Sequence, residues 1–321
     1  MKRILVTGAT GFVGRALCAH LQRCGWVVRA ALRREQAGSS QPWSEAVIVG
    51  DIDGSTNWAS ALRDVDLVVH LAAQVHVMQP DSKANEAFDR VNAEGTRCLA
   101  QSAAAASIKR LVFLSSIKVN GDATWPGKNF TAASPPNPQD SYAQSKAKAE
   151  ETLKQIGLRT GMEIVILRPP LIYGPGAKGN LATLMQWADT VWPLPLGGID
   201  NQRSVIGLHS LIAAIETALF HPATANRVFL IAEEPALSTS TIIQSLRHGM
   251  SRSERLITMP RLLWRLAAAW PRVRPWIQRL TLSLVIEDRG LQNLGWRPND
   301  PIAGLKALAA LRKGSKESLG N

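Results

Sequence analysis

The sequence predicts an α/β protein built on a doubly wound parallel sheet, followed by a smaller C-terminal lobe. Two observations carry that expectation. Short apolar runs recur between stretches of helical periodicity: "RILVTG", "VVRAAL", "AVIVGD", "LVVHLA", "RLVFLSS" and "EIVILRP". Strands that are apolar along their whole length are what a parallel sheet covered on both faces requires. After about Arg168 the pattern changes: Pro and Gly become dense through "RPPLIYGPGAKGN" and "WPLPLGG", and only short strand candidates such as "RVFLIA" separate the later helices. The expected organisation is a sheet domain over 1–168, a lobe over 169–312 from which some strands return to the sheet, and a disordered tail over 313–321. The tail's small and charged residues bury too little surface to offset the entropy of ordering.

The chain of 321 residues carries a net charge of +12. Its lysines and arginines are scattered singly through the first half and enriched only from Arg247 to Arg279. That spread argues against a nucleic-acid partner and suits a substrate bearing phosphates. The cysteines Cys18, Cys24 and Cys98 are odd in number and lack metal-ligand spacing, so buried reduced thiols are expected, with neither a disulfide framework nor a metal. The first apolar run begins at Ile4, leaving no room for a signal peptide, and no stretch reaches the ~20 apolar residues of a membrane-spanning helix. A cytoplasmic location is expected. The segment from Pro260 to Leu280 mixes Trp and Arg at helical spacing, with Pro271 and Pro275 expected to divide it. It reads as a helix packing within the lobe, with peripheral membrane contact as the alternative.

The first chemical motif is the turn "VTGATGFVG", which places Gly8, Gly11 and Gly14 between the first strand and a helix from about Phe12 to Cys24. Backbone there must come close to a pyrophosphate at a helix N-terminus, where unpaired amides and the helix dipole favour negative charge. Glycine-rich turns also arise for steric reasons alone, but this trio opens a βαβ pattern. The end of the second strand separates the two nicotinamide cofactors: an acidic residue binds the ribose hydroxyl of NAD, whereas arginine accommodates the phosphate of NADP. In "VVRAALRRE" that position is Leu32, followed by Arg33 and Arg34. NADP(H) is favoured and NAD(H) is the alternative, in which the two arginines only solvate a loop. Asp51, expected to end the third strand in "VGDI", is placed to bond the adenine ring or simply to turn the chain.

"SYAQSKAKAEE" sets Tyr142 and Lys146 four apart at the start of a helix, on one face. A phenol of ordinary pKa, about 10, moves protons poorly at neutral pH, and a nearby ammonium stabilises its anion. With Ser116, at the end of "RLVFLSS", bonding the substrate oxygen, Tyr142 can take a proton from an alcohol or give one to a ketone while hydride moves at a nicotinamide.

These motifs, with "HLAAQ" at 70–74, "VNAEGT" at 91–96 and "LRPPLIYGPG" at 167–176, occur in the order of a known family. The chain resembles, nearly end to end, an extended short-chain dehydrogenase/reductase of the nucleotide-sugar, NAD-dependent epimerase/dehydratase family. Within it, the chain is most similar to a UDP-glucose 4-epimerase-like subgroup that includes UDP-4-keto-6-deoxy-N-acetylglucosamine 4-reductases of quinovosamine synthesis. The resemblance implies a Rossmann sheet, a substrate-binding lobe, catalytic Ser116, Tyr142 and Lys146, and often a homodimer formed through a helix bundle. It implies a dinucleotide held by Gly8, Thr10, Gly11, Phe12, Val13, Gly14, Arg33, Asp51, Ile52, Leu71, Ala72, Ala73, Tyr142 and Lys146. Asn92 would stabilise the active-site strand, and Pro169 and the residues after it would flank the nicotinamide. A UDP-sugar would meet Ser116, Asn180 and Leu181, with Arg203 on its diphosphate. The alternatives are a surface ion pair for Arg203 and a helix cap for Asn180. "LGWRP" at 294–298 is similar to the family's C-terminal signature and would be structural.

Sugar-nucleotide 4,6-dehydratases of that family carry an Asp-Glu pair directly after the catalytic Ser/Thr, because eliminating water needs an extra acid and base. Ile117 and Lys118 stand there in "LSSIKVNG". Neither supplies carboxyl chemistry, so hydride transfer at hexose C4 is what remains. With Leu32, Arg33, Lys118 and Asn120 departing from the usual epimerase residues, the expectation leans to an NADPH-dependent 4-reductase serving surface polysaccharide synthesis. An NAD-dependent UDP-hexose or UDP-N-acetylhexosamine 4-epimerase is the alternative. A dinucleotide sensor without catalysis is the reading from another class, and the presence of Ser116, Tyr142 and Lys146 speaks against it.

Overall fold

The computed structural model describes residues 2–36, 41–75, 82–260, 263, 264, 266, 269, 270 and 274–319. The strands are β1 (Arg3–Thr7), β2 (Val27–Leu32), β3 (Glu45–Ile48), β4 (Leu67–His70), β5 (Arg110–Leu114), β6 (Glu163–Arg168), β7 (Leu171–Tyr173), β8 (Leu194–Gly197), β9 (Val205–Gly207), β10 (Arg227–Leu230) and β11 (Leu256–Thr258). The helices include α1 (Phe12–Arg23), α2 (Ala59–Leu62), α3 (Ser82–Phe88), α4 (Gly95–Ala105), α5 (Ser141–Thr160), α6 (Asn180–Ala188), α7 (Leu208–Phe220) and α8 (Thr239–Gly249), with two more at Arg274–Thr281 and Pro301–Leu319.

Seven strands form one parallel sheet in the order β10-β6-β5-β4-β1-β2-β3. Chain order reverses between β1 and β4, and such a switch point opens a crevice at the carboxyl ends of the strands. Strand side chains alternate between faces. On one face Ile4, Val6 and Val28 pack with Leu17 and Leu21 of α1 and Leu211 and Ile215 of α7. On the other, Leu5, Val68 and Leu111 pack with Leu99 of α4 and Leu153 of α5. Each fully buried leucine or isoleucine contributes roughly 1.5–3 kcal/mol.

Arg110 of β5 fixes α7 to the sheet. Its guanidinium donates to the carbonyls of Ala218, Leu219 and His221 at 2.9, 3.0 and 3.0 Å, at the helix end where the dipole favours a cation. From there the chain enters β10, which pairs in parallel with β6 at the edge of the sheet. The lobe has its own core, in which Leu181, Met185, Leu246, Leu305 and Leu308 meet. Two small pairs, β7 with β9 and β8 with β11, complete it. Tyr173 donates to buried Glu233 at 2.6 Å and Ser210 donates to the same carboxylate at 2.5 Å, tying β7 to α7 and to the segment after β10.

Several expectations change. The third strand ends at Ile48, leaving Asp51 in the loop beyond it, because the outward-facing Glu45 to Ile48 stretch forms the half-exposed sheet edge. The last helix runs on to Leu319, past residue 312 where the folded chain was expected to stop. Cys24 is exposed rather than buried, since it ends the solvent-facing tip of α1; Cys18 is buried. Pro275 sits in the first turn of the helix Arg274–Thr281, where a missing amide is harmless. Residues 261, 262, 265, 267, 268 and 271–273 of the Trp/Arg segment lie outside the described residues; Leu266 and Trp270 are exposed. Among the described residues no helix is long and apolar enough to cross a membrane.

Candidate active site

The glycine turn is built for close approach. Gly8 has φ +67°, and a Cβ there would lie 2.7 Å from the Ala72 nitrogen. A Cβ on Gly14 would lie 2.1 Å from the Gly8 carbonyl oxygen, so α1 can rest directly on the turn only with glycine at this position. Gly11 caps α1, and the amides of its first turn have no partner within the helix. A turn drawn this tightly against the N-terminus of α1, with the first-turn amides unpaired, fits a dinucleotide pyrophosphate. Phe12 reaches across to the "YGPG" segment: a Cβ on Gly174 would sit 3.2 Å from its ring.

A buried relay supports the turn from below. Ala72 N donates to Thr7 Oγ1 at 3.2 Å, Thr7 Oγ1 lies 2.6 Å from His70 Nδ1, and His70 Nε2 lies 2.9 Å from Thr96 Oγ1, which donates to the Asn92 carbonyl at 2.6 Å. Because Thr96 and Thr7 direct their protons this way, His70 is the neutral tautomer with its proton on Nε2. Burial, then the nearby Lys146 charge, lowers its pKa to about 3 from 6.5. The unfolded chain therefore binds more protons than the folded one between those values, and the stability present above pH 6.5 is lost as pH falls towards 3. Between pH 6.5 and about pH 5 the wild type is expected to lose about 2 kcal/mol through this group. Urea midpoints compared with those of a His70→Gln variant check it; equal pH slopes would remove the role.

The side of the crevice that holds Ser116, Tyr142 and Lys146 is assembled by two capped elements. β5 leads directly into Ser115 and Ser116, and the Ser116 hydroxyl caps the short 3₁₀ turn Ile117–Val119 by accepting from Lys118 N at 3.3 Å. Asp140 caps α5 by accepting from Ala143 N at 2.7 Å, which sets Tyr142 in the first turn. The Ser116 hydroxyl acts on the Tyr142 phenol in the sense that favours its ionised form. Lys146, one turn on, is buried with Nζ donating to the Leu114 carbonyl at 2.8 Å and lying 4.2 Å above the Phe113 ring. Burial lowers the Lys146 ammonium to about 7, against the opposing charge of Glu150. Tyr142 is pushed up to about 12 by burial first and the Asp140 charge second, with the Ser116 hydroxyl pulling the other way. Lys118 pairs with Asp140 and, at 3.5 Å, with Asp122. It partly offsets the carboxylate that opposes Tyr142 ionisation.

A second buried network lies beneath. Ser115 Oγ donates to Glu150 Oε1 at 2.5 Å, Arg168 Nε donates to the same oxygen at 2.9 Å, and Arg168 also donates to Glu150 Oε2 and, at 2.9 Å, to Asn120 Oδ1. Asn92 takes Gln74's amide at 2.8 Å and donates to the Gln74 carbonyl and to Ser145 Oγ at 3.0 Å each. It thus joins the loop after β4 to α5 and stabilises that loop rather than a strand.

Residues 4–232 match the model of the NAD dependent epimerase/dehydratase family. The chain belongs to that family. UDP-glucose 4-epimerase from Vibrio cholerae is 36% identical over 303 residues, 92% of this chain and 91% of its own. Among solved structures, UDP-glucuronic acid 4-epimerase from Bacillus cereus in complex with NAD has a TM-score of 0.77 at 20% identity, over 97% of this chain and 99% of that one. RMD from Pseudomonas aeruginosa complexed with NADPH has a TM-score of 0.73 at 22% identity, over 98% and 100%. Both share the extended short-chain dehydrogenase/reductase fold.

Within this epimerase/dehydratase fold, the remaining expected residues fall at two ends of the crevice. Leu71 and Ala73 follow β4 beside Ala72, and the Pro169 carbonyl accepts from Ile117 N at 3.0 Å, so the residues after β6 lie against the Ser116 turn. At the β2 end, Leu32 is buried, and Arg33 Nε pairs with Asp51 at 2.8 Å, both side chains largely exposed. The sequence points Arg33 and Asp51 to different parts of a dinucleotide; in the structure they bond each other. Ile52 packs against Gly95 at the head of α4. Asn180 is exposed at the first position of α6, capped by Gly179 rather than capping it. Leu181 is in the lobe core, so only its backbone remains for a ligand. Arg203 is no surface ion-pair residue: it is largely covered, with Nη1 donating to the Leu282 carbonyl at 2.9 Å, and Asp122 acts on it electrostatically.

His70, Glu150 and Ser145 were missed. A buried histidine in "HLAAQ" or a glutamate in "KAKAEE" carries no local mark of its partners.

Proposed function

We propose that the protein is a nucleotide-sugar oxidoreductase that reduces the ketone of a UDP-linked 4-keto-6-deoxy-N-acetylhexosamine at C4 with NADPH, in the supply of surface polysaccharide. The observation that carries this reading is the end of β2, where buried Leu32 replaces a carboxylate and the Arg33 guanidinium stands exposed beside it. The state of Tyr142 agrees: a phenol pushed up to about 12 keeps its proton at neutral pH, the form that donates to a ketone becoming an alcohol.

The glycine turn of Gly8, Gly11 and Gly14 would hold a nicotinamide dinucleotide, which would supply the hydride when bound. Ser116 orients the ketone oxygen, Tyr142 Oη gives its proton to that oxygen as negative charge develops, and Lys146, held within the same turn, steadies the resulting phenolate. The N-terminus of α6, where Asn180 is exposed, and covered Arg203 hold the diphosphate. The site works in the cytoplasm in this reading.

A 4-epimerase using tightly held NAD is the second reading. The Vibrio cholerae relative favours it, and so does the Arg33–Asp51 pair, which engages the guanidinium otherwise offered to a phosphate. The deciding experiment incubates purified protein with the 4-keto sugar nucleotide and NADPH, and separately with UDP-N-acetylglucosamine alone. Stoichiometric NADPH oxidation with a product two hydrogens heavier supports reduction. Co-purified NAD together with interconversion of the C4 epimers overturns it. Arg33→Ala is expected to weaken NADPH by about tenfold or more, the worth of one charge-assisted bond, and NADH far less. Equal losses in a fluorescence titration would return Arg33 to a solvated loop.

A further inference from the structure

On the outer face of the sheet domain, away from the crevice, three unlike donor atoms converge. His20 and Cys24 are four apart at the end of α1 and so share one side of it; Glu216 faces them from α7. His20 Nε2 lies 2.8 Å from Glu216 Oε2 and 3.7 Å from Cys24 Sγ, and the three ligand atoms all fall within 4.8 Å of one another. A tetrahedral zinc ion, with bonds of about 2.0 Å to nitrogen and oxygen and about 2.3 Å to sulfur, needs N···O and N···S separations of about 3.3 and 3.6 Å. The nitrogen–sulfur edge already matches, the nitrogen–oxygen edge needs to open by about 0.5 Å, and the sulfur–oxygen edge lies within 4.8 Å.

The donor set also fits by chemistry. Imidazole with thiolate is the combination that selects thiophilic first-row ions over magnesium or calcium, and thiolate with carboxylate offsets a divalent charge. Rigidity comes from the core, where Leu17 and Leu21 of α1 and Leu211 and Ile215 of α7 lock the two helices together. Cys24 is exposed while the His20 and Glu216 side chains are partly covered, so the ion has an entry path and its fourth position faces water. Cysteine spacing alone gave no hint of this, because the third ligand lies 192 residues further on, at 216 against 24.

We propose that His20, Cys24 and Glu216 bind one divalent, thiophilic transition-metal ion of the zinc class as a clip between α1 and α7. Binding releases the Cys24 thiol proton to solvent and moves the Nε2 proton that His20 shares with Glu216 to Nδ1 or to solvent, so no redox partner is involved. The clip holds the far end of the helix whose first turn forms the glycine cradle.

The test titrates reduced, full-length protein with Co2+ and then Zn2+. The proposal expects a saturable thiolate-to-cobalt charge-transfer band with tetrahedral d–d bands, bleached by Zn2+, and a Zn2+-dependent rise in Tm. Cys24→Ser should lose the band and the Tm response while keeping basal turnover, and His20→Ala and Glu216→Gln should weaken Co2+ by more than about tenfold. No saturable uptake by the wild type, or an unchanged band in Cys24→Ser, overturns it; the latter would assign the thiolate to Cys98, whose Sγ donates to the Thr56 carbonyl at 3.3 Å.

Discussion

Replacing Tyr142 with phenylalanine is expected to lower kcat by about 10²–10⁴-fold, the usual worth of a positioned proton donor, while dinucleotide affinity stays nearly unchanged. The separation follows from where the ring sits. Its edge contact with Phe88, centroids 6.0 Å apart, belongs to the ring and survives the substitution. Lys146 keeps its bond to the Leu114 carbonyl, and the glycine cradle lies on other elements. Only Oη is lost, and with it the proton and the Ser116 interaction. Steady-state turnover alongside a dinucleotide fluorescence titration gives both quantities. A variant as active as the wild type would remove the Ser116–Tyr142–Lys146 assignment whichever sugar proves to be the substrate.

The second large effect is on stability. Glu150→Ala is expected to destabilise the fold by about 3–5 kcal/mol, because it leaves the Arg168 guanidinium as an uncompensated buried charge. Both side chains are at most 3% exposed, so water cannot replace the lost partner. The same change strips Ser115 of its acceptor, immediately before Ser116, and takes an opposing negative charge away from Lys146. A fall in kcat should therefore accompany the fall in stability. Glu150→Gln keeps one oxygen for Arg168 or Ser115 and should lose less. Urea unfolding of the two variants gives the comparison; an Ala variant within about 1 kcal/mol of wild type would mean that the network is loosely solvated.

The sheet was legible because its strands announce themselves as uninterrupted apolar runs between amphipathic helices. The glycine cradle was legible because Gly8 and Gly14 answer a steric demand that other residues cannot meet. Tyr142 and Lys146 are close in sequence, so their joint placement needed only a helix. What was hidden depends on pairs far apart in the chain. Glu150 and Arg168 find each other through α5 and β6, and His70 finds Thr7 and Thr96 through three separate elements. Arg33 illustrates a different gap: its approximate location was readable, but not that Asp51 would meet it at 2.8 Å across the ends of two strands. Leu181 shows a third, since whether a leucine faces a ligand or a core is decided by how α6 packs against α8, not by α6 alone.

The outer neighbour of β6 is β10, whose residues 227–230 lie about sixty positions downstream. During synthesis the backbone amides and carbonyls along that side of β6 stay unsatisfied until the ribosome has moved well past residue 230. Until then the nascent chain presents a ready-made template to any other extended peptide. Pairing with β10 closes that side of β6 and moves the free edge of the sheet onto a strand of only four residues, too short to offer much of a template.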